Sequence, residues 1–334
     1  MIPRTLSQDT DWKTTLRTAV TEPEELLGLL ELPKSRWLTG AKRAARHFPL
    51  KVPQGFINRM EKGNANDPLL KQVMPLAEEL NDCIGYTKDP VDDGPSTAVP
   101  GLIHKYKNRT LLISTGACAI HCRYCFRRHY PYNRSHAGSS QLHDIQQYLI
   151  KHTELDEVIL SGGDPLMLDN PQLGRLLNTI STVPHIRGIR IHSRLPIVLP
   201  ERINTGLLRT LHSSKPITLV IHCNHPNELD NDVILALTSL HQNGIRLYNQ
   251  SVLLRGVNNN AHVLCKLSHQ LFDAQVQPYY LHCLDRVQGA AHFDLHDKEI
   301  ETLYRQIQSE LSGFLLPRLV REIPGQPAKT LINI

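Results

Sequence analysis

Three cysteines lie within eight residues, in the run Cys118-Ala-Ile-His-Cys122-Arg-Tyr-Cys125. An apolar segment, Thr110-Leu-Leu-Ile-Ser-Thr, leads into them, and the pair Arg127-Arg128 follows. Thiols this close can share one inorganic group. Iron–sulfur clusters are held by cysteine thiolates, normally four to a cubane, so a loop of three suits a cluster with one iron left open. Zinc competes for the same residues. It usually takes two separated pairs of ligands, and here only His121 or His129 could complete a set. Three unrelated thiols are the third reading.

A second chemical feature stands far down the chain. Lys329 ends the loop Pro324-Gly-Gln-Pro-Ala-Lys329. In isolation it reads as a solvated loop lysine. Cys83, Cys223, Cys265 and Cys283 are scattered and read as buried small apolar residues.

What would position these groups is a β/α alternation. From about residue 103, short apolar β-branched runs at 111–115, 157–161, 188–193, 217–223, 246–253 and 277–283 alternate with helical stretches at 140–152, 172–181, 202–212, 230–243 and 261–274. Six such repeats call for a parallel sheet with helices outside. They are too few to close a (β/α)8 barrel, so a partial (β/α)6 TIM-like barrel is expected. Chemistry in such folds gathers at the C-terminal strand ends. Polar residues fall there: Ser161-Gly-Gly-Asp164, His192-Ser-Arg194, His222-Cys-Asn-His225, Asn249-Gln250-Ser251 and His282-Cys-Leu-Asp285.

Residues 1 to about 100 read as helical and irregular, with helices at 11–20, 23–30, 34–47 and 54–62 and a linker at 87–100. A further amphipathic helix is expected at 298–311. The organisation predicted is an N-terminal helical region and linker (1–100), a partial barrel (101–290), and a C-terminal helix with the Lys329 segment (291–334).

The totals suit an enzyme. Among 334 residues there are seven cysteines and a net charge of +5. An odd thiol count argues against a disulfide framework. No apolar run approaches the roughly 20 residues of a membrane helix, and the N-terminus lacks the apolar core of a secretory signal. A cytoplasmic protein with no direct nucleic-acid binding is expected. The basic stretch Lys34, Arg36, Lys42, Arg43, Arg46 and Lys51 reads as a solvated face or as a docking surface for an acidic macromolecule.

The CxxxCxxC pattern with an aromatic residue, Tyr124, before its last cysteine resembles the signature of radical S-adenosylmethionine enzymes. The text around it (CAIHCRYCFRR, LSGGDPL, HSRLP, HCNHPNE, NQSVLLRGVN, GAAHF and the PGxxxK loop) follows the order seen in lysine 2,3-aminomutases, over roughly residues 100 to 334. FINRMEKGNANDPLLKQV, nearer the N-terminus, is similar to the short bacterial members that supply (R)-β-lysine for modifying elongation factor P. The longer members have a C-terminal extension.

The resemblance implies a [4Fe-4S] cluster on Cys118, Cys122 and Cys125, with S-adenosylmethionine on the open iron. Tyr124 would pack near the adenine. Ser161, Gly162, Gly163 and Asp164 would meet the methionyl end, and Gln250 would make a further contact. It implies pyridoxal 5'-phosphate on Lys329, with Arg109 against its ring and Lys105 and Tyr106 toward its phosphate. For the substrate, L-lysine, Arg127 would take the carboxylate, and Asp285 and Glu322 the ε-ammonium. Glu322 stands where typical members have aspartate. The implied reaction is a radical, pyridoxal-dependent conversion of (S)-α-lysine to (R)-β-lysine, with arginine or glutamate as the alternative substrate. The implied partners are an electron donor such as flavodoxin, and elongation factor P with its lysyl-ligase.

Overall fold

The computed structural model describes residues 12–132 and 141–334. The N-terminal residues read above for a signal, and Asp11 and Ser140, where two of the expected helices begin, lie outside them. Among the described residues one sheet of ten strands forms the frame: β1 (Thr97–Val99), β2 (Leu102–Tyr106), β3 (Arg109–Thr115), β4 (Glu157–Gly162), β5 (Gly188–Ser193), β6 (Ile217–His222), β7 (Arg246–Val252), β8 (Gln277–His282), β9 (Arg318–Arg321) and β10 (Thr330–Leu331). They pair in chain order. The run from β3 to β9 is parallel. Antiparallel additions sit at both edges, β1 and β2 on one and β10 on the other.

All six expected strands are present, and β9 adds a seventh parallel one. It escaped the sequence because its two buried residues, Leu319 and Val320, are flanked by arginines, too short a run to show a period. The sheet is an open, partial barrel of the TIM type. Strand pattern explains the two faces. In β4 the middle residues Val158 to Ser161 are all buried, as in a parallel strand covered on both sides. In β5 the alternation turns Ile189 and Ile191 into the core and Arg190 and His192 toward a cavity.

The outer helices start where the chain supplies caps. Asp169, Asn204, Asp230 and Asn260 each accept a backbone N–H from the first turn of the following helix, at Asn170–Ser181, Thr205–Leu211, Asn231–Gln242 and Ala261–Asp273. Each such cap is worth roughly 0.5–2 kcal/mol. The first of these helices buries Leu173, Leu176, Leu177 and Ile180, the i, i+3, i+4, i+7 stripe that faces a sheet.

Residues 12–100 share the barrel's core. One apolar cluster runs from Trp12, Leu26, Phe56 and Leu69 to Leu112, Leu160, Leu219 and Val276. The expected helix at 54–62 is only Gln54–Ile57, because Gly63 turns the chain with positive φ and Asp67 caps a new helix, Pro68–Lys71. The segment read as a linker is also more than that. It contains β1 and buries Val91 and Asp93, with Asp89 accepting from the Asp93 and Gly94 amides. Its Pro, Gly and Asp content marked a turn and concealed that Asp93 is paired inside the fold. Cys223, Cys265 and Cys283 are buried, while Cys83 is half-buried.

Candidate active site

At the C-terminal ends of the parallel strands lies a cavity of about 600 Å³. Every one of the site residues expected from the sequence lines it, from the cysteines of the 118–125 loop to Lys329.

The cysteine loop is fastened first by glycines. Gly163 donates to Thr115 O at 2.7 Å, and Asp164 N to Ala117 O at 2.8 Å. A Cβ on Gly163 would stand 2.3 Å from Ala117 O, and Gly162 has φ +120. The glycines therefore free space for the backbone of the cysteine loop, and only glycine fits both positions. Asp164 is used up in the same join. Its carboxylate accepts from Ser193 Oγ and from the amides of Arg194, Leu195 and Leu166. Burial nevertheless pushes its pKa up to about 6. Asp164 thus holds β4 and β5 together, and its carboxylate has no capacity to spare for a cofactor.

The N-terminal region supplies the second fastening. Arg123, with no exposed surface, binds Glu79 through two nitrogens at 2.8 and 2.6 Å. Arg128 adds a third bond to the same carboxylate, at 2.6 Å. Burial alone would raise the Glu79 pKa, but the two arginines overcome it and hold the group below its usual range. Gln72 O accepts from Arg123 N, and Lys51 O from His121 N. So each half of the loop is tied to a segment before residue 80.

Burial, with the nearby thiols adding, raises the pKa of Cys118 well above its usual value. It lifts Cys125 to about 11, again with Cys122 adding. The thiols are close enough to feel one another. Yet among the described residues no three His, Cys, Asp or Glu side chains converge on a point that would hold a single ion. A mononuclear zinc site requires that convergence, with bonds near 2.3 Å. A cluster, which presents a separate iron to each thiolate, does not, and the donor set fits one.

The opposite wall carries the lysine. β9 and β10 form a hairpin in which Thr330 faces Arg321. One step further along that register sets Lys329 opposite Glu322, and the two pair at 2.7 Å. Gly325, with φ +78, makes the turn. Tyr106 donates to the other oxygen of Glu322. Lys105 is paired with Asp93 at 2.6 Å. Arg109 lies over the Tyr106 ring at 4.3 Å. Lys105 and Tyr106 are thus engaged with carboxylates of this chain, a pairing that the sequence did not show.

Between the two walls, Arg127 is nearly buried. Its Nε donates to Asp93 at 2.7 Å and its Nη1 to Ser161 Oγ at 3.0 Å. Asp285 is half-buried, and among the described residues nothing donates a hydrogen bond to its carboxylate. Burial raises its pKa to about 6, with Lys329 pulling the other way. Tyr124 receives a bond from Asn224 Nδ2 at 2.7 Å and meets Phe293 edge-on. Gln250 Nε2 lies 2.9 Å from His222 Nε2.

Sequence reasoning left out several residues here. Asp93, Glu79 and Gln72 were hidden in text that looked like linker and irregular helix. Arg194 and three histidines were visible only as polar strand ends. Burial holds His192, His222 and His282 neutral, His222 with a pKa near 3. Among the described residues the buried Nε2 atoms of His192 and His282 find no partner, and both side chains line the cavity. Such atoms are costly to leave unsatisfied and point to a polar group bound beside them.

Comparison with known proteins agrees with this arrangement. Residues 108–187 match the 4Fe-4S single cluster domain. The chain is 48% identical to the L-lysine 2,3-aminomutase of Escherichia coli K12 over 97% of its own length and 95% of that protein's. It is 42% identical to the Haemophilus influenzae L-lysine 2,3-aminomutase, covering 98% and 96%. Against the Acetoanaerobium sticklandii L-lysine 2,3-aminomutase it is 34% identical, covering 96% of this chain and 77% of the relative. A radical SAM methyltransferase from Sphaerobacter thermophilus shares the fold, with a TM-score of 0.50 at 15% identity over 66% of this chain and 68% of that one. Identity this high over nearly the whole of both relatives places this chain in the lysine 2,3-aminomutase family of radical S-adenosylmethionine isomerases.

Proposed function

We propose that this chain converts (S)-α-lysine to (R)-β-lysine, and that the product serves the β-lysylation of elongation factor P. The observation that carries the reaction is that one cavity brings together a three-thiol loop, the buried Arg127, the Asp285 carboxylate, to which nothing among the described residues donates, and a lysine on a hairpin. Cys118, Cys122 and Cys125 would hold the cluster, and Lys329 the pyridoxal phosphate. When bound, the cluster with S-adenosylmethionine supplies the radical, and pyridoxal phosphate supplies the π-system that carries the moving amino group.

The chain's own residues do the rest. The planar fork of Arg127 fixes the substrate carboxylate and is itself aimed by Asp93 and Ser161. Asp285 receives the ε-ammonium at the far end. Glu322 holds the Lys329 ammonium, and transfer of that proton is needed before the amine can act as a nucleophile. The strand-end histidines, kept neutral, line the cavity without adding positive charge. An arginine at one end with Asp285 at the other, and Glu322 beside it once Lys329 gives it up, suits an amino acid with a cationic side chain and disfavours glutamate.

The link to elongation factor P is supported by the likeness of residues 56–73 to the short bacterial members. An electron donor of the flavodoxin kind and a cytoplasmic setting belong to the same reading. Among the described residues no helix is long and apolar enough to cross a membrane.

The test is anaerobic incubation of the reconstituted protein with lysine, arginine or glutamate in separate reactions, followed by chiral separation of the products. (R)-β-Lysine from lysine, with arginine and glutamate left unchanged, is expected. Product from glutamate and none from lysine would overturn the proposal.

A further inference from the structure

Arg194 follows β5 and is almost fully buried, at 6% exposure. Its Nη1 lies 2.7 Å from Cys122 Sγ. Its Nη2 donates to Glu228 Oε2 at 2.8 Å and to Gln72 Oε1 at 2.7 Å. Glu228 has no exposed surface and is fixed in turn by Gln72 Nε2 and the amides of Asn224 and His225. The Phe56 ring lies 5.4 Å from the Arg194 guanidinium carbon and the Tyr124 ring 5.7 Å from it. The Arg194 amide is bound by Asp164 at 2.7 Å. The guanidinium is therefore held from its backbone, its far nitrogen and two ring contacts, and its remaining terminal nitrogen meets one thiol of the three.

The consequence is electrostatic. Reduction adds one electron to a cluster and increases the negative charge on its sulfur ligands. A charged N–H donor held on a buried side chain against the sulfur stabilises that state more than the oxidised one. Hydrogen bonds to the sulfurs and the local charge are among the factors that set a cluster's potential.

We infer that Arg194 is a positioning residue that raises the reduction potential of the cluster through Cys122, with Glu228 and Gln72 holding it in place. The inference rests on the reading that Cys118, Cys122 and Cys125 hold a [4Fe-4S] cluster. The step concerned is one electron entering from an external one-electron reductant, with no bond made or broken.

The experiment compares wild type, Arg194→Lys and the double variant Arg194→Met/Glu228→Gln, which removes the buried charge pair as a whole. Each is reconstituted anaerobically, assayed for iron and sulfide, and titrated against solution potential with the reduced cluster followed by electron paramagnetic resonance, without S-adenosylmethionine or lysine. At the wild-type midpoint, the reduced-to-oxidised ratio of the double variant is expected to fall about tenfold, which is ~59 mV for one electron. Arg194→Lys, which keeps the charge and loses the fork, is expected to fall between. A loaded Arg194→Lys or double variant that titrates like wild type overturns the inference. A wild type that binds no iron overturns the cluster reading itself, a result separable from the first because it needs no variant.

Discussion

The two walls of the cavity are built on opposite plans. The cysteine wall is closed: Arg123, Arg128 and Arg194 are buried with Glu79 and Glu228, and the loop is stitched to Gln72, Lys51 and the glycine turn. The lysine wall is open: Lys329 retains about a quarter of its side-chain exposure, its partner Glu322 is shared with Tyr106, and among the described residues the Asp285 carboxylate and two histidine nitrogens find no hydrogen-bond partner. A group that arrives once and stays is served by a rigid cage. A wall where a lysine must exchange one partner for another cannot be fully satisfied beforehand. The difference teaches where stability resides: breaking a buried ion pair of the first wall should cost far more stability than breaking the half-open pair of the second.

The largest expected effect separates the two cofactors. Lys329→Ala should abolish β-lysine formation and the covalent attachment of pyridoxal phosphate, read as loss of borohydride-fixed pyridoxyl label, with iron content unchanged. Cys122→Ala should do the reverse, losing iron while keeping the label. If Lys329→Ala retains the label, the assignment of that lysine is wrong.

Next comes stability. Glu79→Ala leaves two buried guanidinium groups without their carboxylate, and breaking a buried pair in this way costs roughly 3–5 kcal/mol. Glu322→Gln, at a half-open pair, should cost about 1 kcal/mol or less. Denaturant midpoints of the two variants measure the contrast directly. Equal losses would mean that the walls do not differ as described.

A smaller effect is set by pH. Burial raises the pKa of the Asp285 carboxyl to about 6. Above that it is a carboxylate able to hold the ε-ammonium, and below it becomes neutral. KM for lysine should therefore rise by roughly tenfold between pH 7 and pH 5, in line with loss of the ionised fraction. Asp285→Asn should have a raised KM with this limb flattened. A variant whose KM follows the wild-type profile would remove Asp285 from the substrate site.

The smallest effect lies outside both walls. Arg43 and Arg46 are exposed on the helix Lys34–His47. Reversing their charge should leave stability within about 0.5 kcal/mol and spare turnover of free lysine, while lowering elongation factor P modification in cells. Equal losses in both assays would place the arginines in folding instead of docking.

How much of this could be read in the chain follows the same division. The parallel strands were legible because each is a short β-branched run ending in polar residues, and the cysteine loop because its spacing is compact. Lys329 gained meaning only beside the other motifs, since a Pro/Gly loop with one lysine is common. The closed wall was the least legible part. Glu79, Gln72 and Asp93 are separated from their partners by 34 to 156 residues, and nothing local distinguishes a glutamate that will pair with a buried arginine from one in solvent. β9 was hidden for another reason: its identity as a strand comes from a neighbour, β8, and hardly from its own pattern.

The central claim is that one chain's cavity holds both reactive centres. It is tested by mixing Lys329→Ala protein, loaded with its cluster, and Cys122→Ala protein, loaded with pyridoxal phosphate, under anaerobic assay with α-lysine, S-adenosylmethionine and reductant. Each variant alone should be inactive, and the mixture should also form no β-lysine. Restored β-lysine formation in the mixture would contradict the claim, because it would show that the two walls of a working site come from different chains.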